Sequence, residues 1–218
     1  MSNVCVRGFS ISLDGYAAGP RQSEEEPVGV GGRRLHRWIW ETRTFRERFG
    51  MEGGSTGLDD AIMQRHFEGF GATIMGRNMF GPQRGPWEDE SWRGWWGERP
   101  PWGYPVFVLT HHARPSLEME GGTTFHFVTG GVDEALERAR AAAGGKDVLV
   151  SGGAATIWQL LEARLIDELE LAVVPILLGD GERLWEGLSP EAAASYRMDE
   201  LRSSDAVTHV RMRRVAAE

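Results

Sequence analysis

Between residues 123 and 174 the hydrophobic period switches repeatedly between that of a strand and that of a helix. This alternation restricts the fold more than any other feature. Residues 123–128 read as a short buried strand. Residues 132–143 carry Val132, Ala135, Leu136, Ala139 and Ala143 on one face and Glu134, Glu137, Arg138 and Arg140 on the other, the pattern of an amphipathic helix ended by Gly144-Gly145. A strand over 147–150 follows, then a Ser151-Gly152-Gly153 turn and a helix over 154–162 that packs Ile157, Leu160 and Leu161. A strand over 169–174 is closed by Pro175 and the Gly179-Asp180-Gly181 turn. Strands joined through helices lie parallel, so the expected class is α/β with a central, mostly parallel sheet and helices on both faces. Residues 196–201 and 206–215 alternate as two antiparallel strands would, which predicts a C-terminal hairpin at the end of that sheet.

The first half is less regular. Residues 4–13, rich in Val, Ile and Phe, predict a first strand that stops at the Asp14-Gly15 turn. Residues 19–32 form a loop, broken by Pro20, Pro27 and glycines. One helix is expected over 33–49, with Leu35, Trp38, Ile39 and Phe45 inward, and a second over 58–67, with Asp59 and Asp60 in its first turn. Short strands are expected over 72–75 and 106–110. Between them, residues 81–105 have no period and contain Trp87, Trp92, Trp95, Trp96 and Trp102. No repeat or linker divides the chain, so residues 1–218 are expected to form a single domain with a Trp-rich insertion at about 82–104.

Composition excludes several classes of function. With 24 Lys and Arg against 32 Asp and Glu, the chain is a poor neutraliser of nucleic-acid phosphates. No apolar run approaches the ~20 residues of a membrane helix, and residues 1–3 lead into a strand without a signal peptide, so a cytoplasmic, soluble protein is expected. The lone Cys5 excludes an internal disulfide and any multi-thiolate metal site. His111 and His112 are adjacent on an extended segment and point oppositely, so no metal site is expected there. His36, His66, His126 and His209 are scattered and read as structural.

Candidate chemistry gathers at strand ends. Val148-Leu149-Val150-Ser151-Gly152-Gly153-Ala154-Ala155-Thr156 takes a strand through two glycines into a helix, where bare backbone N–H groups and the helix dipole suit a pyrophosphate. Taken alone, such a turn is as readily a steric device. At Ile74-Met75-Gly76-Arg77-Asn78 a second strand ends in a glycine, and Arg77 either forks onto a phosphate or meets a neighbouring carboxylate. A third strand end lies at Leu109-Thr110-His111. Ligands of open α/β sheets bind at the carboxyl ends of strands.

Five segments, in order, carry a resemblance to a known family: Ser12-Leu13-Asp14-Gly15-Tyr16, Met75-Gly76-Arg77-Asn78-Met79-Phe80, Val108-Leu109-Thr110, Ser151-Gly152-Gly153, and Leu165-Ile166-Asp167-Glu168-Leu169 leading to Pro175-Ile176-Leu177-Leu178-Gly179. The chain resembles the dihydrofolate reductase fold and, within it, the reductase domain of bifunctional riboflavin-biosynthesis deaminase-reductases in a stand-alone bacterial form. The resemblance implies NADPH bound across the strand ends. It places Gly76, Arg77 and Asn78 by the cofactor's phosphates, Thr110 and His111 by the adenosine, and Ser151, Gly152, Gly153, Ala154, Ala155 and Thr156 around the pyrophosphate. Dihydrofolate reductases often carry a third glycine and an arginine after the pair, where this chain has Ala154-Ala155. The family's catalytic acid, which assists protonation, falls on Asp60, which is otherwise a residue favouring a helix N-terminus. The backbone of Asp14 is expected to border the nicotinamide, although turn formation explains that aspartate equally well.

The leading expectation is therefore an NADPH-dependent reductase of a small heterocyclic compound (pterin-, folate- or pyrimidine-like) or a carbonyl compound, assembled as a homodimer. The alternatives are a non-catalytic dinucleotide-binding module and a reductase using a flavin-like cofactor. The deaminase half is absent, since no His/Cys/Cys zinc signature occurs. The tryptophans of the insertion either wall a pocket for a flat ring or pack against each other and a partner.

Overall fold

Nine strands form one sheet around β1 (Val4–Ser12), whose burial is nearly unbroken because both of its faces are covered. A computed structural model describes residues 2–215, so Met1 and residues 216–218 of the expected domain lie outside the described residues. β1 pairs in parallel with β7 (Asp147–Gly152) on one side and β8 (Glu168–Val174) on the other. Beyond β7 the parallel run continues through β3 (Phe70–Gly76), β4 (Pro105–Leu109) and β6 (Thr124–Val128). The short β5 (Leu117–Glu118) closes that side antiparallel to β6. On the other side, β8 pairs antiparallel with β11 (Thr208–Arg214), which pairs with β10 (Tyr196–Ser203) as the expected C-terminal hairpin. A separate two-stranded ribbon joins β2 (Tyr16–Ala18) to β9 (Glu182–Arg183).

Helices cover both faces. α5 (Gly131–Ala142) and α6 (Ala154–Glu162) bury Leu136, Ala139, Ile157 and Leu160 against Val4, Val6, Ile74, Val148 and Val150. The opposite face takes α1 (Arg37–Trp40), α2 (Arg43–Arg48) and α3 (Leu58–Arg65), with Trp38, Ile62 and Met63 set against Ala172 and Val174. α4 (Arg77–Phe80) packs Phe80 beside Val106, Val108, Phe125 and Trp102 on that same side of the edge strands. A short α7 (Pro190–Ala194), capped by Ser189, precedes β10. The strand period of two explains the division, since alternate residues such as Val148 and Leu149 enter different clusters.

The single helix expected over 33–49 is three pieces. A 3-10 turn over Gly32–His36 runs into α1, the chain breaks at Glu41, and Thr42 restarts it as α2 with its hydroxyl accepting from Phe45 N at 3.3 Å. Thr42 Oγ1 also donates to Ile39 O at 2.7 Å, which ties the two pieces at an angle. A threonine gives the break no glycine or proline signal, and Phe45 is only half-buried as a result. The loop over 19–32 is tied across itself by Val30 N to Pro20 O at 2.8 Å and Gly19 N to Val28 O at 2.9 Å.

Candidate active site

The carboxyl ends of β3, β4 and β7 and the middle of β1 border one cleft of about 850 Å³. Gly76, Arg77, Asn78, Thr110, His111, Ser151, Gly153, Ala154, Ala155 and Thr156 all line it. Gly152 does not; it is buried, and a Cβ there would lie 2.8 Å from Phe9 Cε2. At Gly153 a Cβ would meet nothing within 4 Å, so the backbone stands open. α6 begins directly after it with no side-chain cap and no acidic residue in its first turn. The first N–H groups of such a helix have no partner in the helix and carry its positive dipole end. Gly76 serves a different end: a Cβ would sit 2.5 Å from Thr156 Oγ1, so the absent side chain lets β3 close on the start of α6.

Arg77 borders the same space. Its guanidinium lies 3.6 Å over the ring of Trp87 and donates from Nη1 to Gly85 O, while Nε and Nη2 have no partner among the described residues. The three N–H bonds on these two buried nitrogens are unused, and a turn of the guanidinium would bring them to an acceptor in the cleft. An open glycine backbone, an uncapped helix and a cation with free donors fit a bound dinucleotide's phosphates.

The two candidate acids are placed elsewhere. Asp14 accepts from Ser12 Oγ at 2.5 Å, Gly179 N at 2.8 Å and Leu178 N at 3.2 Å. The Ser12 hydroxyl, and after it the Gly179 and Leu178 N–H groups, hold its carboxyl down at about 2. It ties the β1–β2 turn to the chain after β8. Asp60 is buried, and accepts from Thr44 N at 2.7 Å and Gln64 Nε2 at 3.3 Å. That bond satisfies a free N–H in the first turn of α2, so α3 caps α2 from outside. Neither residue lines the cleft. Asp59, read as a helix-start residue, also receives His209 Nε2 at 2.8 Å and Ser204 Oγ at 2.8 Å.

The other end of the cleft has the tryptophan wall offered as one reading of the insertion, but it also takes in His36 and His66, which the sequence reading assigned a structural role. β1 shifts register against β8 between Val6 and Phe9, with Gly8 at φ +60 in the left-handed region. A Cβ at Gly8 would come within 3.1 Å of His66 Nδ1. His66 and His36 both line the cleft, and both Nδ1 atoms are buried without a partner. Burial first, then the nearby Arg7 and Arg48 cations, push the His66 imidazole down to about 4. Ile39, Trp40, Phe45, Phe49 and Phe67 supply most of the surrounding wall. Trp95, Trp96 and Trp102 of the insertion line it as well, whereas Trp87 and Trp92 donate to His112 O and Phe80 O and pack inside. The signal for His66 was its place four residues after the buried Ile62, where it continues the inward stripe of α3 one residue past that helix. Among the described residues, no group of three or more His, Cys, Asp or Glu side chains could hold a metal ion, and no helix is long and apolar enough to cross a membrane.

Residues 6–210 match the family model described as the RibD C-terminal domain. The chain belongs to that family. A RibD C-terminal domain is a reductase domain, and this one is an oxidoreductase with the dihydrofolate reductase-like fold. A structure titled a putative riboflavin biosynthesis protein, from Shewanella sp. PV-4, is 22% identical with TM-score 0.57, covering 99% of this chain and 100% of that one. A diaminohydroxyphosphoribosylaminopyrimidine deaminase/5-amino-6-(5-phosphoribosylamino)uracil reductase from Thermotoga maritima is 13% identical with TM-score 0.52, over 98% of this chain and 57% of that one. Dihydrofolate reductase from Enterococcus faecalis, in complex with NADP(H) and RAB-propyl, is 13% identical with TM-score 0.50, over 98% and 96%. No curated protein matches the chain in sequence.

Proposed function

We propose that residues 1–218 act as one NADPH-dependent reductase domain on a small heterocyclic or carbonyl compound, in the cytoplasm and as a homodimer. The observation that carries this reading is the uncapped start of α6 beside the open backbone of Gly153, with Arg77 on the same cleft. Gly153, Ala154 and Ala155 would hold the pyrophosphate and Arg77 a further phosphate, with Asn78, Thr110 and His111 along the adenosine side. When bound, a reduced nicotinamide supplies the hydride. The chain's own work is to orient the partners and to keep water out. The loop over 19–32 supports that exclusion, because Gln22 Oε1 accepts from Arg84 Nη2 at 3.4 Å across the cleft mouth. With Asp14 and Asp60 engaged in holding the fold, the proton is assigned to water. Dimerisation is supported by β10, whose register shift between Met198 and Glu200 brings the exposed Met198 and Leu201 onto one face of an edge strand.

Titrating NADPH against intrinsic tryptophan fluorescence tests the reading. Saturable binding is expected for the parent chain, and at least ~10-fold weaker binding for Gly153→Ala, whose methyl would fill the pyrophosphate's place without straining a residue at φ −72. Arg77→Ala should weaken NADPH by about 1.5–3 kcal/mol and NADH much less. Unchanged affinity in Gly153→Ala would put the dinucleotide somewhere else.

A further inference from the structure

The cleft has two chemically distinct ends that meet at β1. Phe9 packs on Gly152 at the glycine-lined end, and the adjacent Gly8 packs on His66 at the aromatic end. The aromatic end is continuous. His66 and Phe67 meet edge to face at 4.6 Å, Arg48 stacks 4.3 Å over Phe67, and Arg48 Nη1 reaches Pro101 O at 3.5 Å next to Trp102. We propose that this end binds an uncharged, flat, largely apolar ring compound carrying one hydrogen-bonding atom, and that His66 is the residue that meets that atom. The proposal rests on the other end being the dinucleotide's, and its test is arranged to separate the two.

Charge is the first argument. Glu182 is the sole acid among the described residues lining the cleft, and it lies beside the Arg84 cation. A protonated or amidine-like ring edge thus finds no carboxylate at the aromatic end. The lining cation there, Arg7, is already engaged: Nη1 donates to Arg65 O at 2.9 Å and Glu68 O at 3.3 Å, Nη2 lies 3.9 Å from Glu168, and the guanidinium covers the Phe70 ring at 4.7 Å. A phosphorylated sugar would be stripped of water without gaining a free cation, which is costly. Flat apolar rings lose nothing there and gain stacking on Trp40, Phe45 and Phe67.

His66 supplies the second argument. Its Nδ1 is shut in against Gly8, so Nε2 is the ring atom left to face a ligand. With its protonation driven down by burial, the imidazole is neutral near pH 7. A neutral imidazole offers one donor or one acceptor and no charge, which matches a carbonyl or hydroxyl on an otherwise apolar ring.

Calorimetric titration of the full chain with 2-acetylnaphthalene, a flat neutral ketone, is expected to give saturable binding without any dinucleotide present. Ribose 5-phosphate should not displace the ketone, whether or not its phosphate is taken up at the glycine-lined end. His66→Phe should weaken the ketone at least fivefold, and His66→Gln, which restores an N–H donor, should recover most of that loss. NADPH affinity should stay unchanged in both variants, and Gly153→Ala should leave ketone binding intact. Ketone binding that persists while NADPH binding fails would remove the dinucleotide reading and leave this one standing. Absence of ketone binding, displacement of the ketone by ribose 5-phosphate, or ketone affinity equal in the parent, His66→Phe and His66→Gln would overturn the inference.

Discussion

Thr44 N–H reaches Asp60 Oδ1 at 2.7 Å and Gln64 Nε2 reaches Oδ2 at 3.3 Å, so this buried carboxylate is spent on the chain that surrounds it. Asp60→Asn, which keeps an acceptor oxygen, is expected to hold turnover within about threefold, against the ~100-fold or larger loss that follows removal of a general acid. Asp60→Ala should cost about 1 kcal/mol in urea unfolding, the usual worth of a helix cap. A turnover collapse in Asp60→Asn with the fold intact would return the acid to the reaction. His66 gives a pH prediction of definite sign. Its folded value, about 4, lies below the unfolded 6.5, so its contribution is complete above pH 6.5 and is lost as pH falls through 4. Stability of the parent, measured relative to His66→Phe, should drop by about 3 kcal/mol across that window. A difference that does not change with pH would mean the imidazole is freely solvated.

At the scale of elements, the Trp-rich insertion behaves as a wall pinned to the edge of the sheet. Arg114 is the pin: it is 7% exposed, donates from Nη2 to Glu90 O and to Trp92 O at 2.8 Å, and lies 4.9 Å from Trp87 and 5.1 Å from Phe127. Arg114→Leu should lower stability by about 1.5–3 kcal/mol, the worth of charge-assisted hydrogen bonds, and red-shift tryptophan emission as the insertion loosens. An unchanged emission spectrum would show the rings are held by their own packing. Residues 123–174 were readable because each element has a clean period and ends on glycine or proline. The helix expected over 33–49 failed at Thr42, whose hydroxyl makes a local cap on the Phe45 N–H that no glycine or proline announces. β5 and the β2–β9 ribbon, at two or three residues per strand, are too short to show any period.

For the whole molecule, the glycine-marked strand ends were visible because close backbone approach demands a particular residue, whereas the aromatic end showed only in its tryptophans. It is assembled from β1, α1, α2, the turn after α3 and the insertion, which lie far apart in sequence, and rings that line a cleft look like rings that fill a core. The proposed dimer would pair through edge strand β10, so Leu201→Asp should shift the mass seen by analytical ultracentrifugation from two chains to one, while a chain that is monomeric from the start would remove that assembly. The two ends of the cleft share one floor, and the account as a whole turns on what lies across Gly153. A crystal soaked with NADPH measures this directly. The account predicts diphosphate density within hydrogen-bonding distance of the Ala154 and Ala155 N–H groups, with Arg77 turned toward a phosphate. Ordered NADPH bound away from Gly153, or density for another ligand at that turn, would contradict it.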